Sequence, residues 1–373
     1  RPPRRARRPP PESRRQPALP SGRAAPARGG IVRHRNAPTP SAMKNIPKPS
    51  AIVRFLDRFV IGQEEAKRTL AVAVYAHFKK IARARQDSGP IVKSNVLLIG
   101  PTGTGKTLTC ETLARGLGVP FVTAEATSLA QSRYVNDEIE AILQRLVDRA
   151  DGSIERAQYG IVFIDEIDKL KARAGEPQAL SGESVQHALL KIMEGAMVRL
   201  GGERYIDTTN VLFLCGGAFV GLERIASRSH TYGYISTSKD DNPAVIERLN
   251  ARVKPNDLIE FGLIPEFTGR LPITTRFEDL PKAMLARIMS EPANSIYAQF
   301  RDLFAAEGVE LVVAHEVFEQ IADMAIEYRT GARSLRGLFE ELITPVLYAV
   351  PDDPAIKRVE IASLYTEPAL VRG

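Results

Sequence analysis

The chain has 373 residues, of which 44% are hydrophobic and 25% charged, an ordinary composition for a globular protein of two or three domains. No apolar run approaches the roughly 18 residues of a membrane span, so we expect no contact with a membrane. The two cysteines, Cys110 and Cys215, are too few for a four-cysteine zinc site. They indicate buried thiols in a reducing compartment, the cytoplasm.

The positive charge is concentrated at the N-terminus. Residues 1–36 contain eleven arginines and one acid, Glu12, for a net charge of +10; because the whole chain carries +7, the remainder carries −3. Residues 1–48 are rich in Pro, Arg and Ala, and such a segment buries too little apolar surface to offset the entropy of ordering. We therefore predict a disordered basic arm over 1–48.

The role of this arm stays open. A solvated tail, a targeting segment, and a contact with nucleic acid or an acidic partner all fit its composition. The first residue is arginine rather than methionine, so a missing upstream segment also stays open.

Two helices are predicted after the arm. Apolar spacing over 52–60 indicates a short helix, and Val60-Ile61-Gly62-Gln63 interrupts it. The stripe of apolar residues from Gln63 to about Arg85 indicates a long amphipathic helix.

The next stretch predicts a phosphate-binding loop. The apolar run Val96–Ile99 indicates a buried strand, and it opens into Gly100-Pro-Thr-Gly-Thr-Gly-Lys-Thr107, the P-loop pattern. Glycines let backbone N–H groups approach a phosphate closely, and the following helix, about 106–117, turns its positive dipole end to the anion. Lys106 is expected to reach the β- and γ-phosphates and Thr107 to bind Mg²⁺. The residues assigned to this nucleotide site are Gly100, Pro101, Thr102, Gly103, Thr104, Gly105, Lys106, Thr107 and Leu108.

A second buried strand ends in acids. The run Ile161–Ile164 is followed by Asp165 and Glu166. Ligands bind at the carboxyl edge of open parallel sheets, so we expect Asp165 to hold Mg²⁺ and Glu166 to activate the attacking water.

Further apolar runs complete a sheet. Residues 120–124 and 210–215 read as strands that alternate with helices, which predicts an α/β, doubly wound parallel sheet with the P-loop after an internal strand. Residues 222–256 are polar and are predicted to be an inserted loop region. We assign 49–277 to this large domain. We assign 278–373 to a smaller, mostly helical domain with helices near 283–289, 296–304, 317–328 and 334–349 and a closing strand over 357–362.

Tyr134 and Val135 precede a predicted helix over 137–148. They read either as an exposed loop or as apolar residues packed at the helix start.

Together these segments resemble the ClpX family of AAA+ protein unfoldases, the ATP-binding subunits of the Clp protease, over about 52–361. The segments that carry the resemblance are Val60–Gln63, Gly100–Thr107, Phe163–Lys169, Leu189–Gly195, Cys215–Phe219, Phe261–Pro272 and Thr330–Arg336.

The resemblance implies roles for individual residues and for the assembly. It implies a homo-hexamer that binds ATP with Mg²⁺ and acts on unfolded or tagged proteins. The implied sites are an adenine pocket at Val60 and Ile61, an arginine finger at Arg270, a nucleotide sensor at Arg333, a pore loop at Tyr134 and Val135, and a loop at Tyr232, Gly233 and Tyr234 that docks on the Clp protease ring.

The chain departs from the family pattern in four places. The family's zinc module does not lie within this sequence, the pore-loop glycines are replaced by Arg133 and Asn136, and a second, basic pore loop is reduced to residues 201–204. The docking loop carries tyrosines, which fit an apolar docking pocket less well than phenylalanine or isoleucine because their hydroxyl groups need polar partners.

Three functions therefore remain under consideration. The nucleotide set and Tyr134 favour an ATP-driven unfoldase that threads polypeptide through a pore. The arginine arm suggests an AAA+ motor on nucleic acid, which the near-neutral body and the aromatic loop disfavour. The altered loops suggest a nucleotide-dependent remodelling scaffold without a protease partner.

Overall fold

The computed structural model describes residues 46–87, 93–132, 134–171, 182–232, 253–328 and 330–373. Nearly all of the predicted basic arm lies outside these ranges. Among the described residues, no helix combines the length and the apolar character needed to cross a bilayer.

The first part of the chain alternates helices and short strands. In chain order its elements are α1 (Pro49–Leu56), α2 (Glu64–Asp87), β1 (Val96–Ile99), α3 (Lys106–Leu117), β2 (Phe121–Glu125), α4 (Ala126–Gln131), α5 (Val135–Arg149), α6 (Ile154–Ala157), β3 (Ile161–Asp165), α7 (Gly182–Glu194), β4 (Met197–Arg199), β5 (Tyr205–Asp207), β6 (Leu212–Gly217), α8 (Leu222–Tyr232), α9 (Pro255–Phe261), α10 (Pro265–Gly269) and β7 (Ile273–Arg276).

Five parallel strands form the main sheet in the order β2-β3-β6-β1-β7. The predicted doubly wound sheet, with the P-loop after an internal strand, is confirmed because β1 lies between β6 and β7. The fifth strand, β7, was not predicted from the sequence. Strands β4 and β5 form a separate antiparallel hairpin.

The three inner strands of this sheet, β1, β3 and β6, are buried on both faces. In β1, Leu97 and Ile99 belong to one apolar cluster while Val96 and Leu98 belong to another, as the period of two in a strand requires. A strand covered on both sides reads as a continuous apolar run, which explains why β1 and β3 were recognisable in the sequence.

The polar region 222–256 is not simply a loop, and this expectation was wrong in part. Residues 222–232 form α8, and α9 begins at Pro255. Leu222 and Ala226 are buried and lie four residues apart, so one apolar stripe supports α8 despite its polar composition.

The C-terminal part has its own apolar core. Its elements are α11 (Lys282–Ser290), α12 (Ile296–Ala306), β8 (Glu310–Val313), α13 (His315–Glu327), α14 (Leu335–Ala349), β9 (Ile356–Ile361) and β10 (Ala369–Arg372). The predicted helices are present. The predicted closing strand, β9, pairs in parallel with β8 and antiparallel with β10, so a small three-stranded sheet accompanies the helices.

His77 joins α2 to the chain just before β6. Its Nε2 lies 3.0 Å from the carbonyl oxygen of Asn210, and the residue is 1% exposed. Burial lowers the pKa of His77 to about 4, partly opposed by the Asn210 carbonyl, because a charged imidazolium is poorly solvated there.

We predict that this histidine makes folding sensitive to mild acid. The unfolded state binds its proton near pH 6.5 and the folded state only near pH 4, so stability falls as the pH drops through that window. Between pH 6.5 and 4.5 the wild type should lose about 2–3 kcal/mol more than His77→Gln, measured by denaturant unfolding. His315→Gln, at an exposed position, is the matched control. Equal pH slopes for the wild type and His77→Gln would contradict this account.

Candidate functional site

The loop between β1 and α3 depends on close backbone approaches. A Cβ on Gly100 would lie 2.4 Å from the carbonyl oxygen of Phe277, a distance that no side chain tolerates. Gly103 and Gly105 have φ values of +83° and +92°, which favour glycine. The predicted phosphate loop thus has the backbone form that its glycines imply.

Lys106 is buried over this loop. Its Nζ donates hydrogen bonds to the carbonyl oxygens of Gly100, at 2.6 Å, and Pro101, at 2.8 Å. Burial lowers the pKa of Lys106, while Asp165 and Asp168 act in the opposite direction. An ammonium group so placed at the start of a helix suits an anionic ligand.

Thr107 and Asp165 meet across the site. Thr107 Oγ1 lies 3.2 Å from Asp165 Oδ2, which joins the start of α3 to the tip of β3. A hydroxyl and a carboxylate oxygen are hard ligands of the kind that Mg²⁺ prefers. The two side chains therefore fit a shared magnesium ion.

Glu166 has an unusual backbone conformation. Its φ is +59°, a left-handed value that non-glycine residues adopt at some energetic cost and often at functional sites. Its backbone N–H donates to Asp165 Oδ1 at 2.8 Å, and its Oε2 accepts from the hydroxyl of Thr127 at 3.1 Å. The turn and Thr127 together fix the direction of the carboxylate.

These groups surround one cavity of about 340 Å³. Its walls are Thr102, Gly103, Gly105, Lys106, Thr107, Leu108, Asp165, Glu166, Asp168, Lys169, Ala218, Ala332 and Arg333. The wall residues Asp168, Lys169, Ala218 and Ala332, and Thr127 behind Glu166, were not predicted as site residues. Asp168 had a signal in the sequence, since it stands three positions after Asp165; it is buried and its Oδ1 accepts from the Ala218 N–H at 3.3 Å.

The C-terminal part closes one side of the cavity. Residues 331–333 form a single 3-10 turn, and Arg333 lies on the cavity wall together with Ala332. A Cβ on Gly103 would come within 3.4 Å of the Thr330 carbonyl oxygen. The phosphate loop and this turn are therefore in direct backbone proximity.

The Val60–Gln63 segment lies beside the loop. Val60 is buried and Ile61 half-buried, and neither lines the cavity. Gln63, which was not predicted as a site residue, is buried with φ +59°. Its Nε2 donates to Thr104 O at 3.3 Å and to Glu278 O at 2.8 Å, and its Oε1 accepts from Glu278 N at 2.9 Å. One side chain thus ties the phosphate loop to the chain that leads from β7 into α11.

Arg270 does not line this cavity. It follows α10, its side chain is 53% exposed, and its Nη2 lies 2.5 Å from Glu194 Oε1. Its carbonyl oxygen accepts from Asn95 Nδ2 at 3.1 Å. Asn95 precedes β1 whereas the phosphate loop follows it, so Arg270 is anchored roughly 16 Å away, at the other end of that strand.

The two residues of the predicted pore loop behave differently. Tyr134 is 69% exposed, whereas Val135 packs partly against the core of the sheet. The helix starts at Val135, two residues earlier than predicted. Arg133 lies outside the described residues.

The β4–β5 turn is attached to α5. Gly201 N donates to Glu140 Oε1 at 2.6 Å and Arg204 Nη2 donates to Gln144 Oε1 at 3.1 Å. The reduced second loop is therefore pinned to the helix that begins beside Tyr134.

The predicted docking loop is described only at its start. Tyr232 is the last residue of α8, and Gly233 and Tyr234 lie outside the described residues.

Both cysteines are free and buried. Burial raises the pKa of Cys215 to about 12 and raises that of Cys110 still further, so neither is poised as a thiolate. Within the described ranges, no group of three or more His, Cys, Asp or Glu side chains could hold a metal ion.

Comparison with known proteins gives two family matches. The model of the AAA domain (Cdc48 subfamily) matches residues 92–274, and that of the C-terminal D2-small domain of ClpB protein matches residues 280–360.

Curated relatives match most of the chain. One is the ATP-dependent Clp protease ATP-binding subunit ClpX 3 of Methylococcus capsulatus, which is 45% identical and aligns over 84% of this chain and 79% of its own. The ClpX subunits of Bacteroides thetaiotaomicron and Azotobacter vinelandii are 43% and 44% identical. They align over 87% and 83% of this chain and over 82% and 76% of their own.

Proposed function

Because the chain belongs to the ClpX family of AAA+ ATPases, we propose that it hydrolyses ATP at the cavity around Lys106 and thereby threads polypeptide through the pore of a hexamer. The observation that carries the proposal is the convergence of Lys106, the Thr107–Asp165 pair and Glu166 on one cavity. Arg333, from the C-terminal part, shares that cavity.

The loop and its lysine bind the nucleotide phosphates. Backbone N–H groups of residues 102–107 and Lys106 hold the phosphates. Thr107 and Asp165 would hold Mg²⁺, which would neutralise charge that develops on the phosphoryl oxygens. Arg333 lies on the same wall and contacts the nucleotide from the C-terminal part. Val60 and Ile61 border the base.

Glu166 orients the attacking water and accepts its proton. Its carboxylate is directed by the left-handed turn and by the Thr127 hydroxyl. A carboxylate of fixed orientation near the γ-phosphate is what general-base catalysis requires. Thr127 is therefore assigned to hold Glu166 in position.

Arg270 acts on the nucleotide of a neighbouring subunit. Its anchoring at the end of β1 remote from the phosphate loop argues against a role in its own site. A guanidinium supplied across an interface stabilises transition-state charge and couples hydrolysis to assembly.

Tyr134 grips the substrate polypeptide. An aromatic side chain that is 69% exposed at a helix start provides apolar surface and a hydroxyl group that can contact a substrate polypeptide. Val135, partly packed against the core, mainly supports the start of that helix. The proposed downstream partner is the Clp protease ring, which the protein contacts through Tyr232, Gly233 and Tyr234.

The proposed compartment is the cytoplasm, because two buried free thiols are typical of a reducing environment.

We predict that Glu166→Gln lowers the rate of ATP hydrolysis by at least about 100-fold, since loss of a general base typically has this effect. Binding of a fluorescent ATP analogue should persist, and ATP-dependent unfolding of a tagged, folded substrate should stop. The control is Glu111→Gln, on the exposed side of α3. Hydrolysis by Glu166→Gln at the wild-type rate would exclude the assigned role.

We predict that Tyr134→Ala separates hydrolysis from unfolding. ATP turnover should stay within about threefold of the wild type, because Tyr134 does not line the cavity, whereas unfolding of the tagged substrate should fall at least about tenfold. Tyr134→Phe keeps the ring and should retain both activities. Full unfolding activity in Tyr134→Ala would instead favour a remodelling scaffold.

We predict that Arg270→Ala lowers turnover roughly 10³-fold, the scale of an arginine finger, while nucleotide affinity changes little. Arg287→Ala, which removes an exposed arginine that pairs with Glu291, is the control and should leave turnover unchanged. Turnover in Arg270→Ala equal to that of the control would contradict a catalytic role.

A further inference from the structure

Asn95 is a buried polar residue placed immediately before β1. It is 1% exposed, and its side-chain amide serves three separate elements. Its Oδ1 accepts from Phe213 N in β6 at 3.3 Å, while its Nδ2 donates to Arg270 O at 3.1 Å and approaches Met193 O at 3.5 Å. No role in nucleotide binding accounts for these bonds, since the residue lies at the far end of the strand from the phosphate loop.

The chemistry of this position requires an amide. One acceptor and two donors in a single plane are offered by asparagine, whereas aspartate has the same shape and no N–H. A carboxylate at position 95 would face the carbonyl oxygens of Arg270 and Met193 without a hydrogen between them. The bond to Arg270 O would become repulsive.

Glu194 holds the other end of Arg270. It is the last residue of α7, where a negative side chain is disfavoured by the helix dipole. Its carboxylate lies 2.5 Å from Arg270 Nη2, with both side chains about half exposed. Such a pair contributes little to folding stability, so its effect is to set the direction of the guanidinium.

The end of α7 is itself held by the segment before β1. The Ile192 carbonyl oxygen accepts from Lys93 Nζ at 3.2 Å and from Thr208 Oγ1 at 2.9 Å. Lys93 Nζ also donates to Thr208 O at 2.5 Å. Lys93 and Asn95 therefore fix both the helix that carries Glu194 and the backbone of Arg270.

We propose that Asn95 and Glu194 are positioning residues for Arg270, with Asn95 fixing its backbone and Glu194 its guanidinium toward the neighbouring subunit. The inference rests on the proposed action of Arg270 in the neighbour's site. A defect at Asn95 should therefore affect the adjacent nucleotide site and spare the site of the same protomer.

The test uses Asn95→Asp in the full chain, assembled with ATP. Alone, the variant should lose at least about tenfold in kcat, with the KM for ATP changed less than about threefold. Glu194→Gln, at a half-exposed position where we expect the substitution to leave folding intact, should lose about threefold or more in kcat. Glu183→Gln, near the other end of α7 and also exposed, should keep wild-type turnover.

Mixing with Glu166→Gln subunits gives the decisive readout. Those subunits cannot hydrolyse ATP but present an intact Asn95 and Arg270 to their neighbours, so mixed rings should regain turnover in the Asn95→Asp protomers. Arg270→Ala should regain turnover in the same way. Lys106→Ala should not, because its defect lies within its own site.

The outcomes distinguish the positioning role of Asn95 from the proposed action of Arg270. Rescue of both Arg270→Ala and Asn95→Asp supports the inference. Rescue of Arg270→Ala without rescue of Asn95→Asp, or an unimpaired Asn95→Asp, overturns the positioning role and leaves the proposed action of Arg270 intact. Failure to rescue Arg270→Ala removes the premise itself.

Discussion

The candidate nucleotide site depends on backbone segments that approach one another closely. Gly100 lies so close to Phe277 that a Cβ would overlap its carbonyl oxygen, and a Cβ on Gly103 would reach van der Waals contact with the Thr330 carbonyl oxygen. The first contact places the phosphate loop against the edge strand β7, and the second places it against the C-terminal part. Because interiors transmit strain rather than absorb it, a change of shape in this loop reaches both neighbours.

The same crowding explains where buried polar side chains are found. Gln63 has a left-handed backbone conformation, and its side-chain amide bonds to Thr104 and Glu278. At the opposite end of β1, the side-chain amide of Asn95 bonds to Phe213 and Arg270. Since an unpaired buried amide is costly, each of these residues ties its segments together, one beside the predicted phosphate loop and one beside the proposed intersubunit arginine.

Local patterns in the sequence were enough for the central sheet and much of the cavity. Val96–Ile99 and Ile161–Ile164 are apolar runs because both faces of those strands are covered, and the glycines and acids that follow them predict residues that the structure gathers around one cavity. The strand β7, Ile-Thr-Thr-Arg, lies at the sheet edge and is mostly half-buried or exposed, so it lacks such a run. The partner of Gln63 lies 215 positions away along the chain and that of Asn95 lies 175 positions away. No local spacing in the sequence encodes a hydrogen bond between residues so far apart. Thr127 was missed for the same reason, since its partner Glu166 belongs to another strand tip.

The two buried thiols can report when the central sheet opens. Cys110 stands one helical turn beyond Lys106, and Cys215 stands in the middle of the sheet, both without solvent contact. An alkylating reagent in neutral solution can modify them only while the sheet is open, so the rate of labelling measures how often the sheet opens. A fluorophore attached through a cysteine introduced at the surface would, by the same reasoning, mark that position alone in the folded protein.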